Sequence, residues 1–270
     1  MDGRANKWEF IRFDQRDMSV REEEIVTEFP LTVVLNGEEF ATIVCSPTDI
    51  HELLIGFLAS EGIIRFYKEI SAIKIDEERG FAYIEMDKPL HSLQHNHSKR
   101  FIGSCCGKSR QFYFQSDVKT AKTITSKLSI SVDQCFELMN QLQLQSQEFK
   151  RTGGVHNAAI CTLNEILEIC TDIGRHNALD KIYGHIMERS IPVADKVIVF
   201  SGRISSEVLL KISKIGVGIL ISKSAPTDLA LELADDLGIT VIGFARGHKM
   251  NVYTHPFRVI ETGKTNEASK

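Results

Sequence analysis

Residues 196–244 read KVIVFSGRISSEVLLKISKIGVGILISKSAPTDLALELADDLGITVIGF, and this stretch decides the fold class. Three short runs rich in Val and Ile, at 196–200, 218–222 and 239–244, have the length and branching of buried strands. Between them, residues 204–215 and 225–237 place apolar side chains at helical spacing. Strands that alternate with helices of this length pair in parallel, because only a crossover helix returns the chain to the same edge. Working outward, a helix is expected at about 175–189. Before it, 155–162 and 166–171 form a hairpin around Asn164 and Glu165. A further helix opens on Ser131 and runs through Cys135, Phe136, Leu138, Met139 and Leu142, until Lys150, Arg151 and the Gly153–Gly154 pair interrupt it.

The first half has a different grammar. PLTVVLNGEEFATIVCS, residues 30–46, is two β-rich runs joined by Asn36 and Gly37, a strong hairpin signal. Ser46 and Pro47 then suit the cap and first turn of a helix carrying Leu53, Leu54, Phe57 and Leu58, closed by Glu61 and Gly62. Ile70 to Met86 reads as a second hairpin turning near Glu78, Arg79 and Gly80. The stretch with His91, His95 and His97 is polar connector rather than metal site. The fold class expected is α/β (α+β overall). Residues 1–125 form an N-terminal α+β domain, 126–262 an α/β domain, and 263–270 a disordered tail.

At 270 residues and a net charge of -4, with 25% charged and 43% hydrophobic residues, the chain reads as globular and gives no reason to expect a nucleic-acid partner. No apolar run approaches the ~20 residues that span a bilayer. The start, MDGRANKWEF, lacks a hydrophobic signal core. The expectation is a cytoplasmic protein with no membrane partner.

Six cysteines divide into two kinds. Cys45, Cys135, Cys161 and Cys170 sit in apolar segments and read as small buried hydrophobes. Cys105 and Cys106 stand together in KRFIGSCCGKSRQ, with Lys99 and Arg100 before them, Lys108 and Arg110 after them, and Gly103 and Gly107 alongside. Neighbouring cations favour the thiolate, the form that attacks another sulfur, and glycines let the backbone bend. Adjacent cysteines do not make the arm of a zinc site, and no second arm exists, so no zinc is expected.

Three strand ends look built for an anion. The helix start in DIGRHNALDK offers backbone N–H groups beside Arg175 and His176. FSGRISSE repeats the arrangement with Gly202 and Arg203 and the hydroxyls of Ser201, Ser205 and Ser206. GFARGHKM supplies Phe244, Ala245, Arg246, Gly247, His248 and Lys249: an aromatic face, a close-approach backbone and three basic groups. In an open α/β sheet, ligands bind beyond the carboxyl ends of the strands, where all three segments fall. A ligand with pyrophosphate linkages suits them. The plainer alternative is that Arg175 and Arg203 pair with carboxylates such as Asp172 and Asp180.

PLTVVLNG (30–37), HELLIGFLASEGII (51–64), TGGVHNAA (152–159), DIGRHNALDK (172–181), VFSGRISSE (199–207), SKSAPTDLALELA (222–234) and GFARGHKMNVYT (243–254), in this order, resemble the FdhD family of formate dehydrogenase accessory proteins over about residues 28–255. The resemblance implies a sulfur carrier, a sulfurtransferase with a cysteine persulfide intermediate. It would take sulfane sulfur from a cysteine desulfurase onto a loop cysteine and pass it to the molybdenum of bis-molybdopterin guanine dinucleotide, a client bound before insertion into formate dehydrogenase. It also implies a homodimer, and a second domain resembling the three-layer cytidine-deaminase fold. The alternative function is a cofactor-binding chaperone that carries no sulfur. Family members often show Cys-Gly-x-Cys-Gly-Lys; here Gly103 stands at the first cysteine and Cys106 at the second, so the resemblance points to the pair Cys105 and Cys106. The acidic pair that commonly precedes the GRHNA segment is Thr171 and Asp172. Deaminase chemistry is not expected: Ala178 stands where His-x-Glu needs its glutamate, and 201–206 holds no cysteine. The roles of His156 and Asn157 are left open between ligand contact and a hydrogen-bonded turn.

Overall fold

The computed structural model describes residues 5–87, 100–102 and 121–261. Cys105, Cys106, the connector histidines and the tail from Gly263 lie outside the described residues. The alternating stretch forms β11 (Val197–Phe200), α5 (Ser206–Ile215), β12 (Ile219–Ser222), α6 (Asp228–Leu237) and β13 (Thr240–Arg246), with α4 (Arg175–Glu188) ahead of them. As expected, β11, β12 and β13 pair in parallel. The sheet grows beyond them by antiparallel strands: β9 (His156–Cys161) and β10 (Ile166–Asp172) on one side, and β14 (Lys249–Val252) on the other. Its order is β10-β9-β11-β12-β13-β14.

Period-two alternation along these strands divides the apolar residues between two faces. Ala158, Ile160, Ile198, Phe200, Leu220 and Val241 meet the buried stripes of α4, α5 and α6. Ala159, Cys161, Val197, Val199, Ile219 and Ile242 meet α2 (Val132–Gln145) through Cys135, Leu138, Met139 and Leu142. The result is helix, sheet, helix. Ser131 caps α2 as expected, and Gln134 completes a capping box. Lys150 and Arg151, expected to interrupt the pattern, instead end a short helix, α3 (Gln147–Thr152), that stops at left-handed Gly153. Immediately before α2, β8 (Ile130–Ser131) pairs in parallel with β15 (Val259–Ile260).

The first half contains a mixed sheet of order β5-β6-β3-β4-β7. Its strands are β3 (Phe29–Leu35), β4 (Glu38–Cys45), β5 (Ile70–Asp76), β6 (Phe81–Met86) and β7 (Arg100–Ile102). Asn36 and Gly37 take positive φ between β3 and β4, as the hairpin requires. Helix α1 (Ile50–Ser60) covers this sheet with Leu53, Leu54, Phe57 and Leu58, all buried. Ser46 does not cap it, contrary to expectation. The residue before the helix is Asp49, in a left-handed conformation with no side-chain cap, because Ser46 is engaged elsewhere.

A hairpin absent from the sequence reading precedes all this: β1 (Ala5–Asp14) and β2 (Asp17–Val26) form a two-stranded ribbon of their own. Among the described residues no helix is long and apolar enough to cross a membrane.

Candidate functional site

The antiparallel addition of β9 and β10 has a consequence for the sheet's ligand-binding edge. Phe200 pairs with Ala158, and Asp172 with His156. The start of β9 and the end of β10 therefore lie at the same edge as the carboxyl ends of β11, β12 and β13. Short hydrogen bonds tie this edge together. Asn157 N–H donates to Ser201 Oγ at 2.9 Å, Thr171 Oγ1 to Asn157 Oδ1 at 2.7 Å, Ser222 Oγ to the Gly202 carbonyl at 2.7 Å, and Ser224 Oγ to the Ser201 carbonyl at 2.9 Å. Asn157 is buried within β9, opposite Thr171, whose hydroxyl it accepts.

Asp172 sits at the centre of the edge, fully buried. Its Oδ2 accepts from Lys181 Nζ at 2.8 Å and from Ser46 N–H at 3.0 Å; its Oδ1 accepts from Gly174 N–H at 2.8 Å and Asn177 Nδ2 at 2.9 Å. Lys181, equally buried, also donates to the Thr171 carbonyl at 2.9 Å and to Thr48 Oγ1 at 3.3 Å. The Ser46–Thr48 turn is thus clamped onto the start of α4. The carboxylates named as ion-pair partners for the arginines are engaged by lysines instead: Asp172 by Lys181, and Asp180 by Lys211 and Ser60 Oγ. Sequence reasoning missed this clamp, since its two ends lie more than a hundred residues apart.

Arg175 opens α4, with Gly174 as the cap residue. A Cβ on Gly202 would lie 3.2 Å from Arg175 Cβ and 2.7 Å from Phe200 Cζ, so the α4 and α5 starts touch through a position that only glycine fills. His176 Nε2 lies 3.3 Å from Glu207 Oε2 on α5. Arg203 is exposed on the β11–α5 connection, and Ser205 Oγ caps α5 by accepting from Val208 N–H. His156 is held below the usual imidazole range by burial, with Arg175 adding to the effect and Asp172 opposing it. It is neutral at physiological pH.

The third segment differs from expectation. GFARGHKM is not a strand running into a loop but a hairpin: β13 extends to Arg246, turns at left-handed Gly247, and returns as β14 with Arg246 opposite Lys249. Ala245 is buried beneath the turn, whereas Phe244, Arg246, His248 and Lys249 are exposed. Phe244 has φ 52, a costly conformation for an aromatic residue, held by its N–H to the Ser224 carbonyl at 3.2 Å and a bulge between Gly243 and Arg246. Arg246 Nε donates to the Lys223 carbonyl at 2.8 Å, which joins the hairpin to the β12 end. The His248 ring meets Phe136 of α2 edge-on, with centroids 6.3 Å apart.

Four of the six thiols are accounted for. Burial pushes Cys45, Cys135 and Cys161 up to about 12, and Cys170 upward as well. Each is buried in a core. None of them is a thiolate that a partner's sulfur could reach.

The FdhD/NarQ family model matches residues 26–260, most of the chain. The chain belongs to the FdhD/NarQ family. Among its relatives, the sulfur carrier protein FdhD of Bacillus subtilis is 59% identical over 250 residues, covering 93% of this chain and 95% of the relative. That of Geobacillus kaustophilus is 59% identical over 239 residues, 88% of this chain and 91% of the relative. A crystal structure of a candidate formate dehydrogenase accessory protein from Desulfotalea psychrophila has the same fold, with a TM-score of 0.78 over 95% of this chain and 99% of that one at 21% identity. The FdhD/NarQ match contains the whole sheet edge and the Asp172–Lys181 clamp, and leaves most of the N-terminal ribbon before it.

Proposed function

We propose that this chain is a sulfur carrier required for formate dehydrogenase activity. The observation that carries the reading is 59% identity, over nearly the full length of both chains, to proteins named sulfur carrier protein FdhD. With Cys45, Cys135, Cys161 and Cys170 buried and their thiols pushed up, the sulfur is assigned to Cys105 or Cys106. A thiolate there attacks the outer sulfur of a cysteine desulfurase persulfide. The S–S bond to the desulfurase breaks, its thiolate leaves, and the persulfide now rides on this chain. Lys99, Arg100, Lys108 and Arg110 are close in sequence and favour the anionic form.

The molybdenum cofactor, as bis-molybdopterin guanine dinucleotide, is the cargo, received in the cytoplasm before it enters formate dehydrogenase. The sheet edge suits such an anion in its donor set. The first turns of α4 and α5 open there, Arg203 and Arg246 are exposed, and Asp172 is closed off by Lys181 and so repels no phosphate. Arg175, His176, Gly202, Arg203 and the segment from Phe244 to Lys249 are the proposed contacts. Handing the outer sulfur to the cargo leaves a thiolate ready for another cycle.

The test is to incubate the protein with desulfurase and labelled cysteine, then locate the label by mass spectrometry. Label on the peptide containing Cys105 and Cys106, lost when both become alanine, supports the carrier. Label elsewhere, or none, rejects it. Guanosine diphosphate binding that survives in the cysteine-free variant and fails in Arg246→Ala separates the cargo site from the carrier.

A further inference from the structure

The helix starts of α4 and α5 do not offer a ligand the same chemistry. The first turn of α4 holds no acidic residue and begins with Arg175 and His176, whereas the first turn of α5 carries Glu207. Asp172, at the same edge, is fully buried and closed by Lys181. The Glu207 side chain is 36% exposed and meets a histidine instead, its Oε2 lying 3.3 Å from His176 Nε2. The carboxylate therefore stands in the gap between the two starts and still reaches solvent. Ser205 Oγ, not Glu207, caps α5.

A glutamate in a first turn steadies its helix, and on a plain surface that would be its whole role. Here it shares a gap with Arg175 and His176, proposed phosphate contacts, where a negative charge opposes an anion. Pyrophosphate recognition gives no reason for it. An ionised carboxylate has acceptors only, so what it selects is a set of N–H donors. Two parallel donors suit its two oxygens, and each oxygen has lone pairs enough to keep the histidine as well.

The cargo proposed above carries such a set at both of its ends. Guanine and pterin share the 2-amino-4-oxo pyrimidine edge, a ring N–H beside an exocyclic amino group. We propose that Glu207 is a specificity-determining residue of the cargo site, accepting from this edge while Arg175 and Arg203 hold phosphate. The inference rests on the cargo reading of the same sheet edge and divides its labour. The cations attract a linkage that any nucleotide has, and the carboxylate admits only a ring with paired donors. Adenine sets a ring acceptor against Glu207 in place of the ring N–H, and hypoxanthine lacks the amino group. A site built to receive a donor rejects a ligand without one, because its own polar group is left unpaired.

Calorimetry on the full chain with guanosine diphosphate, inosine diphosphate, adenosine diphosphate and inorganic pyrophosphate tests this. The wild type should bind guanosine diphosphate about tenfold or more tightly than the other two nucleotides. Glu207→Gln should lose that preference, while adenosine diphosphate and pyrophosphate bind it as well as before or better, a repelling charge being gone. A second arm separates the two ends of the cargo by comparing pterin with lumazine, its 2-oxo counterpart. Preference for pterin that Glu207→Gln abolishes, with the nucleotides indistinguishable, assigns Glu207 to the pterin end. A wild type that distinguishes neither guanine from adenine nor pterin from lumazine overturns the proposal, and that measurement needs no variant to fold. Equal weakening of guanosine diphosphate, adenosine diphosphate and pyrophosphate in Glu207→Gln also overturns it, since a carboxylate that only steadies His176 would give that result. If neither the nucleotides nor pyrophosphate bind the wild type, the cargo site itself falls, and this inference with it.

Discussion

Asp172 receives hydrogen bonds from two backbone N–H groups, one amide and one ammonium, and has no access to water. A buried ion pair of this kind contributes less through its own attraction than through the cost of breaking it, because the survivor is a desolvated charge. Asp172→Ala should therefore destabilise the fold by about 3–5 kcal/mol in urea unfolding. Adding Lys181→Met should restore part of that loss, since the double variant buries no lone charge. A double variant as unstable as the single one would mean that the backbone donors matter more than the pair. Phe244 poses the opposite case, an exposed aromatic whose left-handed backbone is shared by any residue placed there apart from glycine. Phe244→Ala should leave stability nearly unchanged. If its ring stacks on a base, guanosine diphosphate binding by calorimetry should weaken by about 1–3 kcal/mol. Unchanged affinity would remove Phe244 from the proposed contacts.

Helices α1 and α4 cross at a pair of glycines, and this crossing joins the two halves of the chain. A Cβ on Gly56 would lie 1.8 Å from the Asp180 carbonyl oxygen, and one on Gly184 would lie 1.9 Å from the Glu52 carbonyl oxygen. Both clashes are with backbone, so the helices must separate to admit even a methyl group. Gly56→Ala or Gly184→Ala should cost about 3 kcal/mol or more, at the upper end of overpacking penalties. The melting temperature should fall by roughly 6 °C or more by calorimetry. A glycine inside a helical pattern is a visible anomaly in the sequence, yet nothing local says which backbone approaches it. The same distinction runs through the fold. Asn36 with Gly37, the cap at Ser131 and the alternation from 196 to 244 were legible because each signal lies within a few residues of what it specifies. The N-terminal ribbon was not, because its turn puts a left-handed conformation on Gln15, with no Gly or Asn to announce it. Ser46 was misread for the converse reason: a good cap in sequence, it is occupied by Asp172 and Ile173 on the far side of the chain. At the site, the strand-end rule located Arg175, Gly202 and Arg246 on one edge, whereas the clamp beneath them is a long-range contact with no sequence signature.

At the scale of the molecule, two histidines link stability to pH. His156 lies at the sheet edge beside Arg175, and His185 lies in the last turn of α4, where Arg189 donates to its Nδ1 at 2.6 Å and Glu168 of β10 approaches at 3.7 Å. Burial is the first cause of a lowered pKa in both; Arg175 and Arg189 add to it, while Asp172 and the Glu168, Glu52 and Glu188 carboxylates oppose it. A histidine whose folded pKa lies below the unfolded value of about 6.5 binds its proton more readily in the unfolded chain, so the unfolded state gains as protons are added. The contribution of these two residues is complete above that value and is lost as pH falls through it toward their folded pKa values. Urea midpoints should therefore be flat from about pH 8 to 7 and drop below about pH 6.5. His185→Gln should flatten part of that drop, and His156→Gln another part. The two variants differ in what else they move. Protonating His156 places a second cation against Arg175 at the edge where phosphate is proposed to bind, so guanosine diphosphate affinity should strengthen in the wild type as pH falls below the usual imidazole range, lose that dependence in His156→Gln, and keep it in His185→Gln. A pH profile of affinity that is identical in all three proteins would dissociate His156 from the anion site while leaving its role in stability intact.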